Sequence, residues 1–188
     1  MTVTQAIIIV GAGLIAGIVN AMAGGGSLLT VALLTIFGDL PGLVANGTNR
    51  VGVAVQNIAS VAGYRRGGIS GLSRATPVLI PIVIGSIFGS LVVSSLTSES
   101  FERVFGFLML PVLFLSLRPP KVSSIQITWR PATTYVVFFA IGIYGGAFQA
   151  GVGLILVVAL ARSGLDLVNA NAVKVFVILV LTFFALPV

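Results

Sequence analysis

Two short clusters hold most of the side chains in this sequence that could bind a ligand. The first is Asn20, Gly24, Gly25, Gly26 and Ser27, followed at 48–50 by Thr48, Asn49 and Arg50. The second is Gln149, Gly151 and Gly153, followed by Lys174. Amides, hydroxyls, bare glycine backbone and one cation per cluster are hydrogen-bond donors, and together they suit a small anion. Nothing here suits covalent or redox chemistry. The chain has no Cys and no His, so thiol nucleophiles, imidazole bases and most metal sites are excluded. Its four acids, Asp39, Glu99, Glu102 and Asp166, fall in predicted loops, which leaves no acidic proton relay inside a span. We expect no enzymatic activity, no cofactor and no metal.

The elements that must position these residues are membrane helices. Of 188 residues 57% are hydrophobic and only 7% charged, whereas a soluble surface requires about 25% charged residues. Apolar segments run over 5–37, 47–64, 76–97, 101–117, 133–160 and 170–187, and about 20 apolar residues cross a ~30 Å hydrocarbon core. The fold class expected is all-α, a polytopic membrane helix bundle embedded in the lipid bilayer. The first span lacks a basic n-region and is too long for a signal h-region, so it is expected to stay in the mature protein. A G-x-G-x-x-A match at Gly11, Gly13 and Ala16 lacks the following acid and the βαβ context of a dinucleotide fold. No run of Lys/Arg with interleaved aromatics points to nucleic acid, and none is expected as a partner.

Segments 5–37 and 133–160 exceed one straight crossing, and each has glycines near its middle. A steep tilt, a re-entrant half-helix or a break would accommodate them. Consecutive glycines favour the break, at about 1 kcal/mol of lost helix propensity each. The two segments also resemble each other. AGIVNAMAG aligns with GGAFQAGVG, pairing Asn20 with Gln149 and Gly24 with Gly153, and Arg50 pairs with Lys174 downstream. Two internal repeats with broken helices at the Gly-rich stretches are expected, with a binding site where they meet. The divisions expected are 1–117 for the first transmembrane repeat of about four spans and 118–132 for a cytoplasmic linker. An incomplete second repeat of about two spans, 133–188, follows. Lys and Arg concentrate in 65–74 and 118–131, which puts these loops and the N-terminus in the cytoplasm.

Each feature also has a plainer reading. The glycines would serve close helix packing, Arg50 and Lys174 would snorkel to headgroups, and Asn169 and Asn171 would cap a helix. The repeated positions favour an anion pathway over these. Gly85, Ser86, Gly89 and Ser90 in GSIFGS are read as a packing face, and Arg65 and Arg66 as topology determinants.

AGIVNAMAGGGSLLTVALL, a Pro/Gly loop and ANGTNRVGVAVQN together resemble the N-terminal half of the TauE/SafE sulfite exporter family. GIYGGAFQAGVGLILVVAL with NANAVKVF is similar to the start of its second half. The resemblance covers nearly all of the chain. It implies a multi-pass inner-membrane transporter of about eight spans that moves sulfite, sulfoacetate or related organosulfur anions. It carries the family's motifs onto Asn20, Gly24 to Gly26, Thr48 and Asn49, and onto Gln149, Gly151, Gly153 and Lys174. The second motif reads GVGLI where the family has a further glycine run. The sequence stops at Leu186-Pro187-Val188 without counterparts of spans three and four, and a truncated chain is expected. The alternative to a transporter is a non-transporting assembly subunit or inactive fragment, and a homo-oligomer stays open.

Overall fold

A computed structural model describes residues 3–117 and 130–185. They form eight α-helices: α1 (Val3–Ala23), α2 (Gly26–Ile36), α3 (Gly42–Arg66), α4 (Leu72–Ser94), α5 (Ser98–Leu117), α6 (Pro131–Ala147), α7 (Val152–Arg162) and α8 (Leu167–Ala185). No strand occurs among the described residues. Four helices are long and apolar enough to cross a membrane, within Val3–Met22, Ala75–Ser94, Ser98–Leu117 and Leu167–Ala185. The expected linker falls outside the described residues over 118–129, with Lys121 and Trp129, as do Leu186 to Val188.

Both long apolar segments break at their glycines. Gly24 has φ +86° and Gly25 precedes α2; Gln149 (φ +58°) and Gly151 (φ +75°) separate α6 from α7. The first break also reverses direction. A Cβ on Gly26 would stand 1.9 Å from the carbonyl oxygen of Ala16, so α2 folds back along α1. The break and the reversal of direction are thus one feature. The two breaks touch each other, because a Cβ on Gly24 would lie 2.4 Å from the carbonyl carbon of Gly153. Only residues without a side chain permit that approach.

The GSIFGS stretch packs as its small residues require. A Cβ on Gly85 would meet the Phe139 carbonyl oxygen at 2.3 Å, and one on Gly89 the Ile143 oxygen at 2.0 Å. The backbones of α4 and α6 therefore lie against each other, with dispersion replacing the hydrophobic drive that lipid does not supply. Val78, Ile82, Phe138, Ile141, Val177 and Leu181 fill the core that α4, α6 and α8 share. Gly89→Leu is expected to wedge this pair apart, at about 1–3 kcal/mol or more. A lower thermal unfolding midpoint in detergent checks it.

Three of the four acids sit at or near helix starts, and Asp39 lies in the connection between α2 and α3. Glu99 lies in the first turn of α5 and Glu102 just beyond it, inside a helix where the sequence suggested a loop, and the Glu102 carboxylate accepts from the Gly42 N–H (3.0 Å) opening α3. Asp166 accepts from the N–H groups of Val168 and Asn169 at the start of α8. These bonds, with that from the Asn169 side chain foremost, hold its carboxyl below the usual carboxylate range.

Candidate functional site

The last turns of α1 and α6 each end inside the bundle, where exposed carbonyls need donors. Each repeat supplies them to the other. Asn46 Nδ2 donates to the Ala147 oxygen (3.0 Å), and Arg50 Nη2 donates to the same oxygen (3.0 Å) and to that of Gly146. In return, Asn171 Nδ2 donates to the Ala21 oxygen (3.1 Å), while Lys174 Nζ donates to Ala21 (2.9 Å) and Asn20 (3.2 Å). A cation at a helix C-terminus also complements the helix dipole. Lys174 is fully buried and Arg50 is 6% exposed, so neither snorkels.

This reciprocity fixes the register of the repeat. Asn20 to Gly146, Ala21 to Ala147 and Gly26 to Val152 are all the same step of 126 residues. The alignment read from the sequence, which set Asn20 against Gln149 and Gly24 against Gly153, is three residues out. The similar amide side chains of Asn20 and Gln149 favoured the shifted pairing in the sequence.

A cavity of about 700 Å³ opens between α1, α2 and α3. Its polar lining is Asn20, Ser27, Thr30, Thr48, Asn49 and Gln56, with Ser60 further along α3, and the rest is glycine and apolar side chains. No charged side chain is among the lining residues. Of the residues singled out in the sequence, Asn20, Gly26, Ser27, Thr48 and Asn49 come together here. Gly24 and Gly153 are pressed on each other instead, Gly25 faces the Ser116 hydroxyl, and Gly151 packs on Val112. Gln149 donates to the Thr182 hydroxyl (2.8 Å), away from the cavity. Arg50 and Lys174 stand behind the cavity wall, holding carbonyls. Thr48 spends its hydroxyl on the Val44 carbonyl (2.8 Å).

Hydrogen bonding orients the cavity amides. The Ser27 backbone N–H can only donate, and it points at Asn20 Oδ1 (3.4 Å), which also accepts from Ser27 Oγ (2.9 Å). Asn20 Nδ2 must therefore face Gln56, whose Oε1 accepts it (3.2 Å), and Gln56 Nε2 is left over. Asn49 Oδ1 accepts from Thr30 Oγ1, leaving Asn49 Nδ2. Both leftover groups are buried donors without a protein partner. Such groups cost about 1–3 kcal/mol each unless a ligand or water accepts from them. Sequence reasoning missed Gln56, Thr30 and the capping Asn46. Gln56 is an isolated polar residue on an apolar stretch, and only the fold brings it to Asn20.

The family model described as "Sulfite exporter TauE/SafE" matches residues 9–188. The chain is 28% identical over 152 residues to a "Probable membrane transporter protein" of Haemophilus influenzae, covering 78% of the chain and 58% of that protein. To "Probable membrane transporter protein ORF9" of Sinorhizobium sp it is 26% identical over 145 residues, covering 76% and 55%. To "Probable membrane transporter protein YfcA" of Escherichia coli K12 it is 25% identical over 166 residues, covering 85% and 60%. The chain thus spans less than two thirds of the length of these relatives. No solved structure matches it significantly.

Proposed function

The chain belongs to the sulfite exporter TauE/SafE family, and from that membership we propose that it acts in a multi-pass transporter of compact oxyanions. Sulfite and small organosulfonates are the substrates we assign, and the inner membrane, with the N-terminus cytoplasmic, is the location. The observation that carries the oxyanion reading is the pair of buried, acceptor-less amide donors, Asn49 Nδ2 and Gln56 Nε2, lining a cavity that contains no carboxylate. An oxyanion offers several acceptor oxygens and would satisfy both.

Neutral amides suit transit better than direct ion pairing. A permeation site must bind well enough to strip water and weakly enough to release. Lys174 strengthens the site from behind, since it bonds the backbone oxygen of Asn20 while the Asn20 side chain faces the cavity. Its charge lowers the cost of bringing an anion in from water without touching it. The apolar walls keep the path dry elsewhere. Arg50 and Lys174 act in this reading as positioning residues.

Flux of radiolabelled sulfite into proteoliposomes tests the proposal. Hydrogen bonds to a charged ligand contribute about 1.5–3 kcal/mol, and 1.4 kcal/mol is tenfold. Asn49→Ala and Gln56→Ala are each expected to lower flux at limiting sulfite by about tenfold or more. Wild-type flux in a folded Asn49→Ala/Gln56→Ala double variant would falsify the assignment of the site.

A further inference from the structure

The two cationic caps differ in one respect. Arg50 closes the end of α6 with a guanidinium, which keeps its charge at any pH a protein meets. Lys174 closes the end of α1 with an amino group, which can lose a proton. Its Nζ has two acceptors, the Ala21 oxygen at 2.9 Å and the Asn20 oxygen at 3.2 Å. An ammonium has three N–H groups to place there and a neutral amine has two. The neutral form therefore keeps both bonds, and the cap holds with or without the charge. No helix packed on Lys174 carries a carboxylate. α8 lies chiefly against α1, α3, α4, α6 and α7. α1 contains no titratable side chain, and α8 none besides Lys174. α3 brings Arg50, Tyr64, Arg65 and Arg66; α4 brings Arg74, α6 Tyr135 and Tyr144, and α7 Arg162. Of these, the Tyr64 hydroxyl is tied to the cap, because it accepts from Asn171, which shares the Ala21 oxygen with Lys174. Asp166, ahead of α8, accepts from Val168 and Asn169.

A fully buried charge without an opposite charge is costly. An anion in the cavity is what compensates it, since Asn20 and Ala21, whose oxygens hold Nζ, both line that cavity. We propose that Lys174 binds the proton that accompanies the anion across the membrane. On loading, the neutral amine takes one proton from the water on the side of entry and becomes an ammonium as one monovalent anion enters the cavity. On release, the anion leaves to the other side and the ammonium returns its proton to the water there. Each cycle then carries one proton and one anion and moves no net charge. Linkage makes the effect reciprocal, so the anion favours the charged amine by the factor with which the charged amine favours the anion. The anion comes from the transport reading, on which this assignment rests.

Methanesulfonate is the probe, because it stays a monovalent anion over the neutral and alkaline range in which sulfite itself takes up a proton. Calorimetric titration of the purified chain with it, in two buffers of different ionisation enthalpy, counts the protons bound per anion. Roughly half a proton or more per anion is expected in alkaline buffer, as a coupling of about tenfold or more requires. None is expected in acid buffer, where the amine is already charged, and affinity should fall by the same factor from the acid to the alkaline end. Lys174→Arg, with its fixed charge, should take up no proton at either end, and Tyr64→Phe should keep the uptake. Binding without proton uptake, uptake that survives Lys174→Arg, or uptake lost in Tyr64→Phe overturns the proposal. If Lys174→Arg does not fold, the proton count of the parent decides alone. In proteoliposomes, an inward proton gradient should drive labelled methanesulfonate above its external concentration. Proton-linked binding without flux keeps the linkage and sinks the transport reading, flux indifferent to the gradient does the reverse, and absence of binding sinks both.

Discussion

Replacing Asn171 by alanine together with Lys174 by methionine is expected to destabilise the protein by more than the two single replacements added. Each single variant leaves the Ala21 carbonyl one side-chain donor, and the double variant leaves it none. A buried carbonyl stripped of its partner costs about 1–3 kcal/mol, and residues sharing one acceptor couple by about 0.5–3 kcal/mol. Relief of the ammonium's own desolvation offsets part of the loss in the lysine variant, which keeps that single effect small. The pair Asn46→Ala with Arg50→Met should behave alike, because Ala147 is capped in the same way. Thermal midpoints of the four-member cycle in detergent decide it, and strictly additive losses would remove the shared-cap account.

Two glycines eleven residues apart in one helical segment and its break are expected to respond oppositely to alanine. At Gly24 the methyl would enter the backbone of Gly153 at 2.4 Å, and the residue holds φ +86°. Left-handed backbone costs a side-chain-bearing residue about 1–2 kcal/mol, and overpacking adds about 1–3 kcal/mol. Gly24→Ala should therefore lower stability by roughly 3 kcal/mol. At Gly13 the methyl meets nothing, and helix propensity should return about 0.5–1 kcal/mol. Unfolding of both variants under one set of conditions checks the contrast. A Gly24→Ala protein as stable as the parent would mean that the two breaks do not meet.

The breaks and the packing face were legible because glycine acts locally. Three successive glycines cannot propagate a helix, and small residues four apart on an apolar helix pack against a neighbour wherever it lies. The roles of Arg50 and Lys174 were not legible. Their positions promised contact with an anion, but a cation in a span satisfies whichever electronegative group lies within reach, and here those are carbonyls 96 and 154 residues away in the chain. Gln56 was invisible for the complementary reason. Its free donor exists only because Ser27 turns Asn20, and Asn20 in turn occupies the Gln56 oxygen. Periodicity and composition carry no information about such a relay.

The mutual capping of the two broken helices bears on how the protein matures. Ala21 waits 153 residues for the Lys174 ammonium, and at about 5–20 residues per second of synthesis that is roughly 8–30 s. Throughout that interval the Ala21 carbonyl lacks its side-chain donors. The first broken helix therefore gains its side-chain caps only once α8 is in place, so the closing of this end of the bundle is a late step that couples the two ends of the chain.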